Sequence, residues 1–438
     1  MDFSKHNIIS KIADSDDYFI VNLLSGHADI LDAEEAQKFL SNSLEEKAEF
    51  IEKGYLVNPK EEEQVFRRKY LDFIDERDND EVQLFFTPWY SCNFSCSYCF
   101  QDEYTNPNEH VSKEVVDAFF NYVDSKFAAR KKYVTIFGGE PLLNNPQKKD
   151  SIRQFITEAN RRSLDIAMVT NGYHIVEYID ILKNASIREI QVTLDGTEHV
   201  HDARRMLKGG KGSFNKIVEG IDLLLQHQIP VNLRMIVDKE NIHDLPELAR
   251  FAIEKGWIES PYFKTALGRN YELHHCQRNN QRLFSRIDMY KEIYQMVSKH
   301  PEILAFHKPL FSISKFLFEN GELPNPLFDS CSGGKTEWAF DYSGKIYACT
   351  ATVGNKGDEL GTFYPTIELN NDMIQGWEDR DVLAIKECAT CPVSLACGGG
   401  CAAIAKNRTG NLHAPDCRPV KELLELGISL YSTIDIHN

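Results

Sequence analysis

The cysteine arrangement constrains this 438-residue chain more than any other feature. Of eleven cysteines, Cys92, Cys96 and Cys99 lie in SCNFSCSYCF, Cys276 is isolated, and seven fall between Cys331 and Cys417. Disulfides suit exported chains, but MDFSKHNIISKIADSDD lacks a basic region followed by an apolar stretch and a cleavage site. No run of about 18 apolar residues marks a membrane span. A cytoplasmic address with no membrane partner is therefore expected. There thiols stay reduced, and tight cysteine spacing means metal ligation or redox chemistry. The formal net charge of -17 argues against a nucleic-acid partner, because phosphate binding needs a basic surface.

Between about residues 82 and 267, short β-branched and apolar runs alternate with helical patterns. VQLFFT at Val82, YVTIFG at Tyr133, DIAMVT at Asp165, EIQVTL at Glu189, VNLRMIV at Val231 and YFKTAL at Tyr262 are predicted strands. SKEVVDAFFNYVDSKF, SIRQFITEAN, SFNKIVEGIDLLLQ and DLPELARFAIEKG are predicted helices. Repeated β-then-α units imply an α/β fold with a parallel sheet, open or as a full or partial barrel, whose chemistry sits at the C-terminal strand ends. Before this core, YFIVNLLSGHADIL reads as two strands around a Ser25-Gly26 turn, followed by helices in DAEEAQKFL and LEEKAEFIEKG. After it come the helix RIDMYKEIYQMVSKH and a Cys-, Gly- and Pro-rich segment. That segment is expected to bury little apolar surface and to draw much of its folding energy from bound metal.

Cys92, Cys96 and Cys99 follow the first core strand as CxxxCxxC. Three thiolates on one loop can hold three irons of a [4Fe-4S] cluster and leave the fourth open. Structural zinc is the weaker alternative, since it wants a fourth ligand that the local sequence does not offer. The pattern resembles the radical S-adenosylmethionine (SAM) enzymes, in which the open iron binds the amino and carboxylate groups of SAM. One-electron reduction then yields a 5′-deoxyadenosyl radical. The resemblance places Tyr98 near the adenine. One unit later, FGGEPLL supplies Gly138, Gly139, Glu140 and Pro141, matching the family motif for the SAM amino group. Glycines allow close backbone approach, and a carboxylate accepts from an ammonium. The resemblance further puts Thr193, Asp195 and Arg205 near the SAM ribose, its carboxylate or the substrate, with Asn171 and Arg234 as additional candidates.

The later cysteines run Cys331, then Gly344 and Cys349 as GxxxxC, then Cys388, Cys391, Cys397, Cys401 and Cys417. This resembles the seven-cysteine signature of the SPASM domain, which houses two auxiliary [4Fe-4S] clusters. The resemblance assigns Cys331, Cys349 and Cys401 to one cluster, and Cys388, Cys391, Cys397 and Cys417 to the other. Two fully ligated clusters need eight thiolates and the segment has seven. Cys276 could close the first site, another residue or water could, or its iron could stay open to bind a substrate thiolate.

NLLSGHADILDAEEAQKFL resembles the small winged-helix modules that recognise leader peptides by adding a strand to their own sheet. Together the resemblances imply three domains: a leader-recognition module at 1–80, a radical SAM partial (β/α)6 barrel at 81–305, and a SPASM domain at 306–438. They imply a peptide maturase that uses SAM and three [4Fe-4S] clusters to form a thioether or other crosslink in a ribosomally made peptide. An external donor such as flavodoxin or ferredoxin would supply electrons. The alternatives are oxidation of Cys or Ser to formylglycine, as in sulfatase maturases, and a noncatalytic iron–sulfur or zinc protein. No catalytic base can be singled out from sequence.

Overall fold

The computed structural model describes residues 1–99, 110–270 and 281–434. Near the N-terminus run five short strands: β1 (Asp2–Phe3), β2 (Ile8–Lys11), β3 (Tyr18–Asn22), β4 (His27–Leu31) and β5 (Leu56–Val57). β1 pairs with β5, while β2, β3 and β4 form an antiparallel sheet in that order. The predicted turn at Ser25-Gly26 joins β3 to β4. Asp32 caps helix Ala33–Leu40 by accepting from Glu35 N at 2.8 Å, which satisfies one donor of the first turn. The second predicted helix is short, Ala48–Glu52, and is followed by a long one, Pro59–Asn79. That long helix is largely polar but turns Phe66, Tyr70 and Phe73 onto Phe328, with ring centres 5.1, 5.4 and 5.6 Å away. Ile8, Phe19 and Val21 join Val382, Leu395 and Leu424 in one apolar cluster, so the N-terminal strands share a core with the Cys-rich segment.

Six parallel strands follow: β6 (Val82–Thr87), β7 (Lys132–Ile136), β8 (Ile166–Thr170), β9 (Ile187–Thr193), β10 (Val231–Val237) and β11 (Phe263–Arg269). They are neighbours in sequence order, as right-handed helical crossovers dictate. Leu84, Phe86, Val134, Ile136, Val192, Leu233 and Met235 are fully buried, while alternate positions such as Gln83, Gln191, Asn232 and Arg234 are half-buried. Period-2 alternation thus gives each strand an apolar side for the helices and a more polar inner side. All six predicted strands are present, within two residues at each end.

The C-terminal segment extends this same sheet. β12 (Glu337–Asp341) pairs in parallel with β6, from Glu337↔Gln83 to Asp341↔Thr87. The antiparallel strands β13 (Lys345–Tyr347), β14 (Glu359–Thr362) and β15 (Glu368–Leu369) complete ten strands. The expectation that this segment buries little apolar surface is corrected. Trp338, Phe340, Phe363 and Trp377 are all buried, and Phe340 and Trp338 pack against Phe119 and Phe127 of the barrel at 5.1 and 5.9 Å. Apolar residues sparse along the sequence converge once the β12 edge pairing forms, so the segment joins the hydrophobic core of the barrel. Cys331 precedes β12 and Cys349 follows β13, so both stand where β6 begins, whereas Cys92 follows the end where β6 finishes.

Candidate functional site

Cys92, Cys96 and Cys99 leave β6 on a loop whose backbone is fixed by pairing. Phe94 bridges to Leu207. Ser95 N donates to Met206 O at 2.9 Å, Ser97 N to Arg204 O at 3.0 Å, and Lys208 N to Asn93 O at 2.8 Å. This ties the cysteine loop to the segment after β9, and Cys99 N closes a turn on Cys96 O at 3.2 Å. Burial, together with the nearby Glu140 carboxylate and the Cys96 and Cys99 thiols, pushes the Cys92 thiol up to about 12. A metal that binds here must displace those protons.

The GGEP loop is clamped directly onto the start of the cysteine loop. Gly138 and Gly139 have φ of +96° and +43°, and a Cβ on Gly139 would lie 2.4 Å from Ser91 O. Only glycine allows this approach. It lets Glu140 N donate to Ser91 O at 2.9 Å, while Trp89 Nε1 donates to Glu140 O at 2.7 Å. Lys148 donates to Ser91 Oγ and holds its ammonium 4.7 Å from the centre of the Trp89 ring. The Glu140 side chain is buried, and its Oε1 accepts from Thr170 Oγ1 at 2.6 Å and Leu142 N at 2.8 Å, its Oε2 from Asn171 N at 2.6 Å. Burial outweighs these bonds and pushes its carboxyl up to about 7. Glu140 is therefore a staple between the ends of β7 and β8, with acceptor capacity for one further donor such as an ammonium. Pro141 follows in this buried turn.

Other strand-end residues converge on the same side. Asn171 Nδ2 donates to Asn93 Oδ1 at 2.8 Å and lies 3.8 Å from Cys92 Sγ. Thr193 closes β9, and its register partner on β10 is Arg234. Asp195 is buried; its Oδ1 accepts from Ile236 N at 3.0 Å, and its Oδ2 lies 3.4 Å from Arg204 Nε. Arg205 Nη1 donates to Tyr98 OH at 2.6 Å, with the guanidinium 5.7 Å from the Phe94 ring centre. Burial drives the Tyr98 hydroxyl well above its ordinary range, against the lowering effect of Arg205.

Sequence reasoning named Arg205 and passed over its neighbours. Arg204 is gripped by Asp238, and Arg282 Nη2 donates to Ser97 O at 2.8 Å with its Nη1 3.4 Å from Glu240 Oε2. The tandem Arg204-Arg205 and the position of Asp238 one residue beyond β10 were the available signals. Lys148 and Trp89 gave none, because their roles arise from contacts between different loops.

The ten described cysteines are free thiols. Beyond burial, Cys349 is raised by Glu337, Cys331 and Cys401, and Cys388, pushed up to about 11, by Cys397, Cys391 and Cys417. The neighbours named here are Cys331, Cys349 and Cys401 on one side, and Cys388, Cys391, Cys397 and Cys417 on the other. Among the described residues no three Cys, His, Asp or Glu side chains meet around a single-ion position. Cys276 lies outside the described residues. Among the described residues, no helix is long and apolar enough to cross a membrane.

Residues 86–252 match the Radical SAM superfamily. The chain spans about half the length of the curated relatives it matches first. Among these, GTP 3',8-cyclase of Campylobacter fetus subsp. fetus is 27% identical over 168 residues, 38% of this chain and 50% of the relative. A cysteine-type anaerobic sulfatase-maturating enzyme of Clostridium novyi is 27% identical over 175 residues, 37% of this chain and 45% of the relative. Mycofactocin maturase MftC of Mycolicibacterium smegmatis is 25% identical over 339 residues, covering 75% of this chain and 79% of the relative. In fold, Streptococcus suis SuiB bound to precursor peptide SuiA matches 95% of this chain and 98% of its own, with TM-score 0.56 and 14% identity. The cysteine loop and the GGEP clamp both lie inside the region that matches the Radical SAM superfamily.

Proposed function

We propose that the chain is a radical SAM peptide maturase that closes a thioether or other crosslink in a ribosomally made precursor. The observation that carries this reading is the GGEP loop seated on the backbone of the CxxxCxxC loop, in a chain that also holds two further thiol sets. Relatives support the substrate class: one is named a mycofactocin maturase, and SuiB was solved with a precursor peptide.

In this reading Cys92, Cys96 and Cys99 hold the SAM-binding cluster, while Cys331, Cys349 and Cys401, and Cys388, Cys391, Cys397 and Cys417, hold two auxiliary clusters. The bound groups supply one-electron cleavage of SAM to a radical that takes hydrogen from an unactivated carbon, with an auxiliary cluster accepting the electron left over. Gly138, Gly139, Glu140 and Pro141 receive the SAM amino group, Tyr98 flanks the adenine, and Thr193, Asp195 and Arg205 orient the ribose and carboxylate. Residues 1–80 recognise the leader, 81–305 carry the radical chemistry and 306–438 the auxiliary clusters, in a cytoplasmic enzyme fed by flavodoxin or ferredoxin.

The test is anaerobic reconstitution, an iron and sulfide count, then reductant and SAM. About twelve irons per chain and release of 5′-deoxyadenosine are expected. Zinc in place of iron, or intact clusters without SAM cleavage, would leave a noncatalytic metal protein. The sulfatase-maturating relative keeps a second reading in play. Mass spectrometry of the modified peptide separates the two: a crosslink loses two hydrogens and resists fragmentation within its ring, whereas formylglycine changes one Cys or Ser alone.

A further inference from the structure

Strand β4 is an edge of its sheet: it pairs with β3 on one side, and among the described residues nothing pairs with the other. β2, the opposite edge, is covered by the last helix, Val420–Ser432, through Ser10, which donates to Glu425. The open edge carries the exposed Ile30 and borders a groove of about 950 Å³ between β4 and helices Ala33–Leu40 and Ala48–Glu52. Leu44 and Phe50 give this groove an apolar component, and a smaller adjoining recess reaches Leu31 and Tyr55. An unpaired strand edge beside an apolar recess is a template for an added strand.

The groove's charge is lopsided. Seven carboxylates line it against two lysines. Lys38 is spent on Glu34, and Lys53 on Glu49 and Asp29. Glu45, Glu46 and Glu52 are exposed and make no ion pair among the described residues. The excess is felt locally: burial, then the carboxylates of Asp32, Glu49 and Asp29, hold Glu35 above the usual carboxylate range. An acidic or neutral strand entering here would meet uncompensated negative charge, whereas lysines and arginines flanking an apolar residue would relieve it.

We infer that the β4 edge and its groove bind an extended basic segment of the peptide substrate, with apolar side chains entering the recess and Lys or Arg facing Glu45, Glu46 and Glu52. This rests on the peptide-maturase reading and adds the charge class that the recognition module selects. Five residues of edge offer a pairing length of about 16 Å, enough for one short strand.

The test displays a library of random 12-residue peptides to the full-length reconstituted protein, in parallel with the E45K/E46K/E52K variant. The three side chains are exposed, so the variant should keep its fold, which circular dichroism and iron content check. The wild type is expected to enrich peptides in which Lys or Arg alternates with apolar residues. Binding of an enriched peptide should weaken at least tenfold both in 0.5 M salt and on charge reversal. Enrichment of neutral or acidic peptides, the same peptides enriched by the variant, or no enrichment at all overturns the inference. The readout is binding without SAM turnover, so a protein that binds basic peptides but never cleaves SAM would refute the maturase reading and leave this one standing.

Discussion

Asp238 grips Arg204 with both carboxylate oxygens, at 2.8 and 3.0 Å, and both side chains are buried. The Arg204 guanidinium lies 5.2 Å from the centre of the Tyr98 ring, and its carbonyl accepts from Ser97 N. One arginine thus joins the end of β10 to the loop bearing Cys96 and Cys99. Asp238→Ala would strand a buried guanidinium with only the longer contacts left, to Asp195 and Glu240 at 3.4 Å and the Ile236 carbonyl at 3.3 Å. Breaking a buried pair in this way costs about 3 kcal/mol or more. Anaerobic urea unfolding followed by circular dichroism measures it, and a loss under ~1 kcal/mol would show that the pair does not hold the loop.

Gly139→Ala should separate the GGEP turn from the cysteine loop. The added methyl would sit 2.4 Å from Ser91 O, at a φ of +43° that alanine adopts only with strain. Backbone atoms cannot swing aside as a flexible side chain can, so the GGEP turn must lift and lose the Glu140 N to Ser91 O bond. SAM binding by equilibrium dialysis should fall at least tenfold while the iron count of the Cys388 set is preserved. Unchanged affinity would mean that the close approach of the loops is incidental to cofactor binding.

His6 supplies a pH-dependent prediction. It is buried and stacked on Phe66 at 5.4 Å, and neither ring nitrogen has a partner among the described residues. Burial, then the Lys5 charge, lowers it from 6.5 to about 4. The unfolded chain therefore binds a proton that the folded chain refuses between these values. The associated stability is complete above about pH 6.5 and is lost as pH falls towards 4, by up to ~3 kcal/mol. His6→Phe should flatten this limb relative to wild type in urea titrations at pH 4.5, 5.5 and 7. Parallel curves for the two proteins would refute the assignment.

The parallel core was legible because each strand is a short β-branched run followed by a helix-period segment, a local signal that survives without partners. EWAFD at Glu337 carries a similar signal, but nothing in it says that its neighbour is β6, about 250 residues earlier. Edge pairing is a long-range choice, and missing it led to the underestimate of the apolar core around Trp338 and Phe340. The cysteine motifs stood out through spacing and resemblance. The roles of Glu140 and Lys148 were not, because a buried carboxylate stapling two strand ends and a lysine stacked on Trp89 are made by loops that meet only in the fold.

Tyr98 and Arg205 give the sharpest test of the SAM contacts. Arg205 commits Nη1 to the Tyr98 hydroxyl, while its Nε is buried with no partner among the described residues. A guanidinium with an unmet buried donor is poised for an anion, and in the proposed reading that anion is the SAM carboxylate. Tyr98→Phe keeps the ring for stacking and removes the one oxygen that orients Arg205. Hydrogen bonds to charged groups contribute about 1.5–3 kcal/mol, so SAM affinity should weaken at least tenfold. Iron content should stay at the wild-type value, because no cysteine moves. Arg205→Lys should weaken SAM at least as much, since an ammonium lacks the planar fork needed to reach the hydroxyl and the carboxylate together. If Tyr98→Phe binds SAM as wild type does while Arg205→Lys does not, the hydroxyl contact is packing alone. If both bind normally, the carboxylate must be held elsewhere on the strand ends.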